Sequence, residues 1–580
     1  MSEIAMNAAA DLKAAIGAAM KAAIEKGELA QAEIPEFTVE VPADRKNGDF
    51  ATNAAMAGAR TFRAAPRKIA EAIVNNIDLS KTYMRSCEIA GPGFINFFLS
   101  PKYYSDVLRE IAQKGDDYGR SDYGKGEKVM VEFVSANPTG PMHMGNARGG
   151  ALGDCLAAVL DKAGFEVWRE FYVNDAGNQI EKFASSLNAR FIQAVKGEDA
   201  VEFPEDGYQG EDIKDAAALY IAEKGTDIID ADEDTRKKAL VDFALPRNIA
   251  KMQADMKKYR IEYDKWFMES ELHNSGAVKD VVKLLTSRGL TYEQDGALWY
   301  KNKQIVTELL KQQGKTDEEI ERLELKDDVL IRANGNPTYF AADIAYHKNK
   351  FDRGYTRLIN VWGADHHGHV ARMKGSMNAI GYDGGKLDVV LMQLVKLVRD
   401  GKPVRMSKRT GKAIQLGDLL DEVPVDSARF LFNTREANST MEFDLDLAVA
   451  QDNQNPVYYV QYAHARICSI LSALAADGIQ PRDCTDEELA LLTAPEEKEL
   501  IDHLAAYTKE VILAAKSYDP TKVTKYVTQL ATLFHKFYNA CRVKGEDESL
   551  MQARLTLCIA VRAVIRNVLE MFKITVPEKM

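Results

Sequence analysis

The chain has 580 residues, 46% of them hydrophobic and 28% charged, with a formal charge of −12. At roughly 150 residues per domain this is a globular chain of three or four domains, not a disordered or fibrous one, and its acidic balance argues against unspecific coating of nucleic acid. Six cysteines with no CxxC pair, no run of about 18 apolar residues and a charged, Ala-rich start point to a soluble cytoplasmic protein with reduced thiols and no signal peptide or membrane span.

Residues 1–115 read as a small α+β unit. It has a helical start, an alternating stretch FTVEV (Phe37 to Val41) and a helical segment from about Ala51 to Asn76 broken by Pro66. It closes with CEIAGPGFINFFL, two strand-like runs hinged on Gly91-Pro92-Gly93. The polar, Gly-rich KGDDYGRSDYGKGEK that follows is a linker. At VMVEFV (from Val129) an apolar run begins with Glu132 as its only charge, which fits a strand largely buried in a sheet. NPTGP then breaks the chain, Leu152, Leu156, Val159 and Leu160 form a helical stripe that Gly164 ends, and FEVWREFYV is the next strand. Strand, turn, helix, strand is a βαβ unit, so the predicted fold is α/β, a Rossmann-like parallel sheet. The charged stretch from about 194 to 280 reads as a mainly helical insertion. The α/β pattern returns at GALWY, VLIRANGNPTYFAADIAYHK, LINVWGADHHGHVARM and LDVVLMQLVKLV. From about Asn455 the chain reads as an all-α helical bundle.

Two segments carry chemistry. His143-Met144-Gly145-Asn146 stands where the first strand turns into a helix, so backbone N–H groups at a positive dipole end face whatever lies above the sheet. A histidine there can donate to a phosphate oxygen, and a glycine leaves room for a flat base; the spacing is neither GxxxxGK[ST] nor GxGxxG. The structural alternative is a capped helix start. Far downstream, GKPVRMSKRTGKAI places Lys402, Arg405, Lys408, Arg409 and Lys412 beside Ser407 and Thr410, either as a solvated basic loop or as one that closes over developing phosphate charge.

Together the two segments resemble the paired signature of class I aminoacyl-tRNA synthetases. HMGN stands for HIGH, with Asn146 in place of the last histidine, and Arg405-Met406-Ser407-Lys408-Arg409 stands for KMSKS. VEFVSANPTGPMHMGNARG, YVNDAGNQI, DGALW, NPTYFAADIAYH and GADHHGH, in this order, closely resemble the bacterial-type arginyl-tRNA synthetases. GDFATNAA and AGPGFINFFLS resemble that family's N-terminal additional domain, and NPVYYVQYAHARICSIL the start of its anticodon-binding domain.

The resemblance implies three domains: 1–115, a tRNA-contacting α+β unit; 116–435, the catalytic domain with its insertion; and 436–580, a helical anticodon-binding domain. It implies ATP as substrate with Mg²⁺, L-arginine and tRNA(Arg) as partners, and a monomer. The catalytic set is His143, Asn146 and Lys408, and the ATP-binding set His143, Gly145, Asn146, Met406, Ser407 and Lys408. The arginine-binding set is Glu132, Asn137, Tyr339, Asp343 and His367, with Asp365 and His366 close enough to His367 to exchange with it. Glu132 has the alternative of a structural salt-bridge partner, Tyr339 and Asp343 that of a helix start and its cap. Asp365-His366-His367-Gly368-His369 resembles a metal cluster, but no cysteine is near to complete one, and no protein-held metal is expected. Alternatives for the whole chain are a different class I synthetase, a nucleotidyltransferase of the same superfamily and a catalytically inactive, synthetase-like RNA-binding protein. From Lys516 to Met580 eleven basic side chains face six acidic ones, a surplus of five in an acidic protein. Tyr458, Tyr459, Tyr462, Phe534, Phe537 and Tyr538 stand near them as candidates for stacking anticodon bases or for bundle core.

Overall fold

The computed structural model describes residues 3–42, 44–404, 414–545 and 547–580. In the N-terminal unit the helix Glu3–Glu25, whose Leu12, Ile16 and Met20 are buried, packs chiefly on helices Pro66–Asn76 and Pro101–Lys114, beside a four-stranded antiparallel sheet. The segment predicted as helical from Ala51 begins instead with the strand Phe50–Thr52, and helices Ala54–Phe62 and Pro66–Asn76 follow. Pro66 opens the second helix at its first turn, where its missing N–H costs nothing.

The central α/β unit is built on five parallel strands: β1 (Lys128–Glu132), β2 (Glu166–Val173), β3 (Lys265–Met268), β4 (Arg357–Gly363) and β5 (Leu387–Met392), in the order β5-β4-β1-β2-β3. Val129, Met130 and Val131 of β1 are fully buried, as a continuous apolar run requires when helices cover both faces. Three helices matter for the site: α1 (Met144–Lys162) after β1, α2 (Tyr339–Asp352) before β4, and α3 (His367–Ile380) after it. The order departs from β1 in one direction to β2 and in the other to β4, so a crevice opens at the carboxyl ends of β1 and β4. Gly153 of α1 permits the close approach of helix to sheet, since a Cβ there would collide with the Phe133 ring.

Three sequence expectations are revised. The helical insertion forms helices Asn178–Lys196, Glu211–Lys224 and Glu233–Lys258 around its own small core of Phe183, Phe191 and Phe243, but it does not run to 280. Residues 265–268 are the edge strand β3, a run too short and too mixed to show a period. GALWY and VLI do not join the parallel sheet. They lie in a separate antiparallel sheet whose hairpin turns at Asp295-Gly296, both with positive φ (51° and 73°), the conformation that an Asp-Gly pair favours. LDVVLMQLVKLV is two strands, β5 and Val395–Arg399, and the second pairs with Met441–Asp444.

Five long helices from Pro456 to Met571 form the C-terminal bundle. It is tied to the α/β unit through Asp154 of α1, which is buried among Arg429, Lys573 and Arg169.

Candidate active site

The crevice holds two adjoining cavities of about 1100 and 1250 Å³, which share His143, Asn146 and Gly363. Between β1 and α1 the chain is bent sharply. Val134 and Ser135 have φ of 72° and 44°, and a β-branched residue at positive φ is strained, which places a conformational cost at the mouth of the site. The bend turns the Ser135 hydroxyl back onto Glu132 Oε1 at 2.8 Å, and the Tyr172 N–H donates to that hydroxyl at 3.1 Å.

The HMGN turn is a reciprocal helix cap. Gly145 N–H donates to His143 Nδ1 at 3.2 Å, and His143 N–H donates to Asn146 Oδ1 at 2.9 Å. With Nδ1 accepting, the proton of neutral His143 sits on Nε2, free to donate outward. The ring is accessible from the cleft, yet desolvation by the surrounding protein holds its pKa below the ordinary value. The capped-helix and phosphate-holding readings of this turn are therefore compatible. Asn146, the departure from HIGH, closes the cap through its oxygen and keeps its amide N–H₂ for a ligand. Gly145 lines the second cavity together with Val404 and Ile414, the residues flanking segment 405–413, and Leu416 N–H donates to Met142 O at 2.8 Å. Arg405, Met406, Ser407, Lys408 and Arg409 lie outside the described residues.

The first cavity is ringed by carboxylates. Glu132 and Asn137 stand at the β1 end, Tyr339 and Asp343 one turn apart on α2. Glu132 is 6% exposed and also forms a 2.5 Å ion pair with fully buried Lys350, so the structural-partner alternative describes a real contact of a residue that still faces the cavity. The Tyr339 hydroxyl accepts from Gln179 N–H at 2.8 Å, and burial raises its pKa. Burial disfavours the Asp343 charge, but His369, 3.0 Å away, together with the Lys350 cation holds the carboxyl below its ordinary pKa.

His367 is not brought to the cavity. It is exposed on the first turn of α3, while Asp365, His366 and His369 line the cavity and His369 reaches Asp343. The helix begins at His367, and its turn carries that side chain outward. Among the described residues no three His, Cys, Asp or Glu side chains gather as a metal site.

Sequence reasoning missed Glu269, which follows β3 directly. It is 2% exposed and lines the cavity; it accepts from the Tyr172 hydroxyl at 2.9 Å and contacts His273 Nε2 at 3.2 Å. Burial pushes its carboxyl above the ordinary glutamate pKa. The available signal was an acid right after the short aromatic run KWFM. The insertion also reaches the site, through Tyr208 and Asp212. In the bundle, Phe534 and Phe537 are core, whereas Tyr458, Tyr459, Tyr462 and Tyr538 are half-buried, and the Arg466 guanidinium lies over the Tyr462 and Tyr538 rings.

The site thus places Glu132, Glu269 and Asp343 around one cavity and a capped helix start beside both cavities. Three family models match the chain: an arginyl tRNA synthetase N terminal domain over residues 10–99, a class I (R) tRNA synthetase catalytic domain over 108–468, and a DALR anticodon binding domain over 460–580. The chain is 53% identical over 559 residues to an arginine–tRNA ligase of Acetivibrio thermocellus, covering 96% of each. It is 52% identical over 581 residues to that of Caldanaerobacter subterraneus subsp. tengcongensis, covering 100% of each. In fold it matches the Thermus thermophilus arginyl-tRNA synthetase with a TM-score of 0.69 at 21% identity, over 97% of this chain and 99% of that one.

Proposed function

Since the chain belongs to the arginyl-tRNA synthetase family, an ATP-dependent arginine–tRNA ligase family, we propose how its side chains divide that reaction. Full-length similarity to ligases decides against a small-molecule nucleotidyltransferase and against an inactive RNA-binding protein. Asp343 and Glu269 receive the planar guanidinium as paired acceptors, with Tyr339 against its face. Glu132 and Asn137 hold the α-ammonium and carboxylate end. That end then points at the second cavity, where ATP enters as its magnesium complex. His366, His369 and Asp365 replace His367 as the neighbours of the arginine pocket.

The arginine carboxylate attacks the α-phosphorus and the bond to the β-phosphate breaks, releasing pyrophosphate. His143 Nε2–H and the Asn146 amide stabilise the charge from the helix start, and the Lys408 ammonium does so as well. The terminal adenosine 2′-hydroxyl of tRNA(Arg) then attacks the mixed anhydride and AMP leaves. Residues 1–115 contact the tRNA and 436–580 read its anticodon, Arg466 and its tyrosines supplying a stacking face. We read the enzyme as a cytoplasmic monomer, which light scattering checks.

The observation that carries this assignment is the convergence of Glu132, Glu269 and Asp343 on one cavity beside a capped helix start. A crystal structure with arginine and a non-hydrolysable ATP analogue tests it. A guanidinium between Asp343 and Glu269 is expected; a guanidinium at Glu132 would overturn the orientation.

A further inference from the structure

Helix α2 presents more than Tyr339 and Asp343 to this region. On the same face, one and two turns further on, are His347 and Lys350, 2% and 0% exposed. The Lys350 ammonium has two hydrogen-bond acceptors: Glu132 Oε2 at 2.5 Å and Asn360 Oδ1 at 3.0 Å. The Asn360 amide donates to His347 Nε2 at 2.7 Å, and His347 Nδ1–H donates to the Asp343 carbonyl at 2.8 Å. Every link has a donor and an acceptor only if His347 is neutral, and burial, which pushes its pKa down to about 3, keeps it so. Of the other carboxylates near Lys350, Glu170 already has a cation of its own in Arg353, which donates to both oxygens at 2.7 Å, and Asp343 has His369 as its partner at 3.0 Å. Lys350 is thus committed to Glu132. Its ammonium never meets the cavity, yet its partner lines it.

We propose that Lys350 is the positioning residue for the α-ammonium end of arginine, fixing the Glu132 carboxylate from behind while Asn360 and His347 register it against the guanidinium-binding turn of α2. Both Glu132 oxygens are held, Oε2 by Lys350 and Oε1 by Ser135, so one lone pair of each stays directed at the cavity. A buried carboxylate without its counter-ion favours the neutral acid and turns from acceptor to donor, the wrong polarity for an ammonium ion. One rigid helix then governs both ends of the substrate, directly at the guanidinium and through Glu132 at the α-ammonium, which sets the length of side chain the pocket accepts.

The inference rests on the reading that Glu132 receives the α-ammonium, and the test separates the two. Lys350→Met, Asn360→Leu and Glu132→Gln are compared in tRNA-dependent ATP–pyrophosphate exchange. L-Arginine is the substrate, and 5-guanidinopentanoate, which lacks the α-amino group, is the competitive inhibitor. Lys350→Met is expected to raise the arginine KM about ten- to hundredfold while the inhibition constant of the des-amino analogue stays within about twofold. Asn360→Leu loosens Lys350 without removing either charge; it repeats the pattern more weakly and carries the test should Lys350→Met not fold. Equal weakening of arginine and analogue, or no change in either, overturns the proposal and leaves Lys350 a structural cation. An unchanged arginine KM in Glu132→Gln sinks the underlying assignment instead.

Discussion

Glu269→Gln separates recognition from stability most sharply. Glu269 is 2% exposed; its Oε2 accepts from the Tyr172 hydroxyl and, at 3.1 Å, from the Asn174 amide, whereas Oε1 has one partner, His273, and keeps a lone pair for the guanidinium. Glutamine is nearly isosteric but turns one acceptor into an N–H₂ that faces the donors of the substrate. The loss is one charge-assisted hydrogen bond plus a donor–donor clash, about 2–4 kcal/mol, or roughly 30- to 1000-fold in arginine affinity. The stability effect has the opposite sign. Burial raises the folded-state pKa of Glu269 above the ordinary 4.5, so as pH climbs through that value the unfolded chain ionises first and the empty enzyme loses stability. At pH 7 the variant without arginine therefore melts no lower than wild type, while the rise in Tm that arginine induces largely disappears. Calorimetry with and without arginine, beside the arginine KM, reads both. An unchanged KM, or a Tm that falls in step with activity, would refute the guanidinium role.

Asn146→Asp keeps the acceptor that closes the His143 cap, so Tm is expected to hold, while a negative charge at the phosphate site lowers kcat/KM for ATP about 100-fold or more. A Tm loss without a kinetic loss would assign Asn146 to the cap alone. Asp154→Asn leaves the fully buried Arg429 short of its counter-ion and costs about 3–5 kcal/mol, read from the urea midpoint. Burial disfavours the Asp154 charge, but Arg429, Lys573 and Arg169 hold its pKa below 3.8. The stabilisation is thus present above that value and is lost as pH falls through the lowered one, which makes the acid limb of wild type steeper than that of the variant. Lys408→Ala slows adenylate formation with little change in arginine binding; loss of arginine binding in equilibrium dialysis would contradict its transition-state role.

The parts of the fold that could be read from sequence are those with a period or a punctuating turn. VMVEFV, the stripe behind Gly145 and FEVWREFYV announce β1, α1 and β2, and Tyr339 opens its helix as spacing predicts. The edge strand β3 has four residues and no alternation, so it vanished into a charged stretch and took Glu269 with it. The hairpin at Asp295-Gly296 was legible in principle, because that dipeptide marks a tight antiparallel turn, yet strand composition alone suggested the parallel sheet. Asp365, His366 and His367 are adjacent in sequence and differ in helical phase, which the start of α3 at His367 fixes. Lys350 left no trace at all: a lysine in a helical run reads as solvated, and only packing reveals it beneath Glu132.

Exchange of labelled pyrophosphate into ATP, run with each amino acid in turn and with and without tRNA(Arg), tests the central claim most directly. Exchange that requires L-arginine, is strongest with the tRNA present and is absent with lysine and ornithine is predicted. Exchange supported by another amino acid, or none even with tRNA(Arg) and arginine, would contradict it.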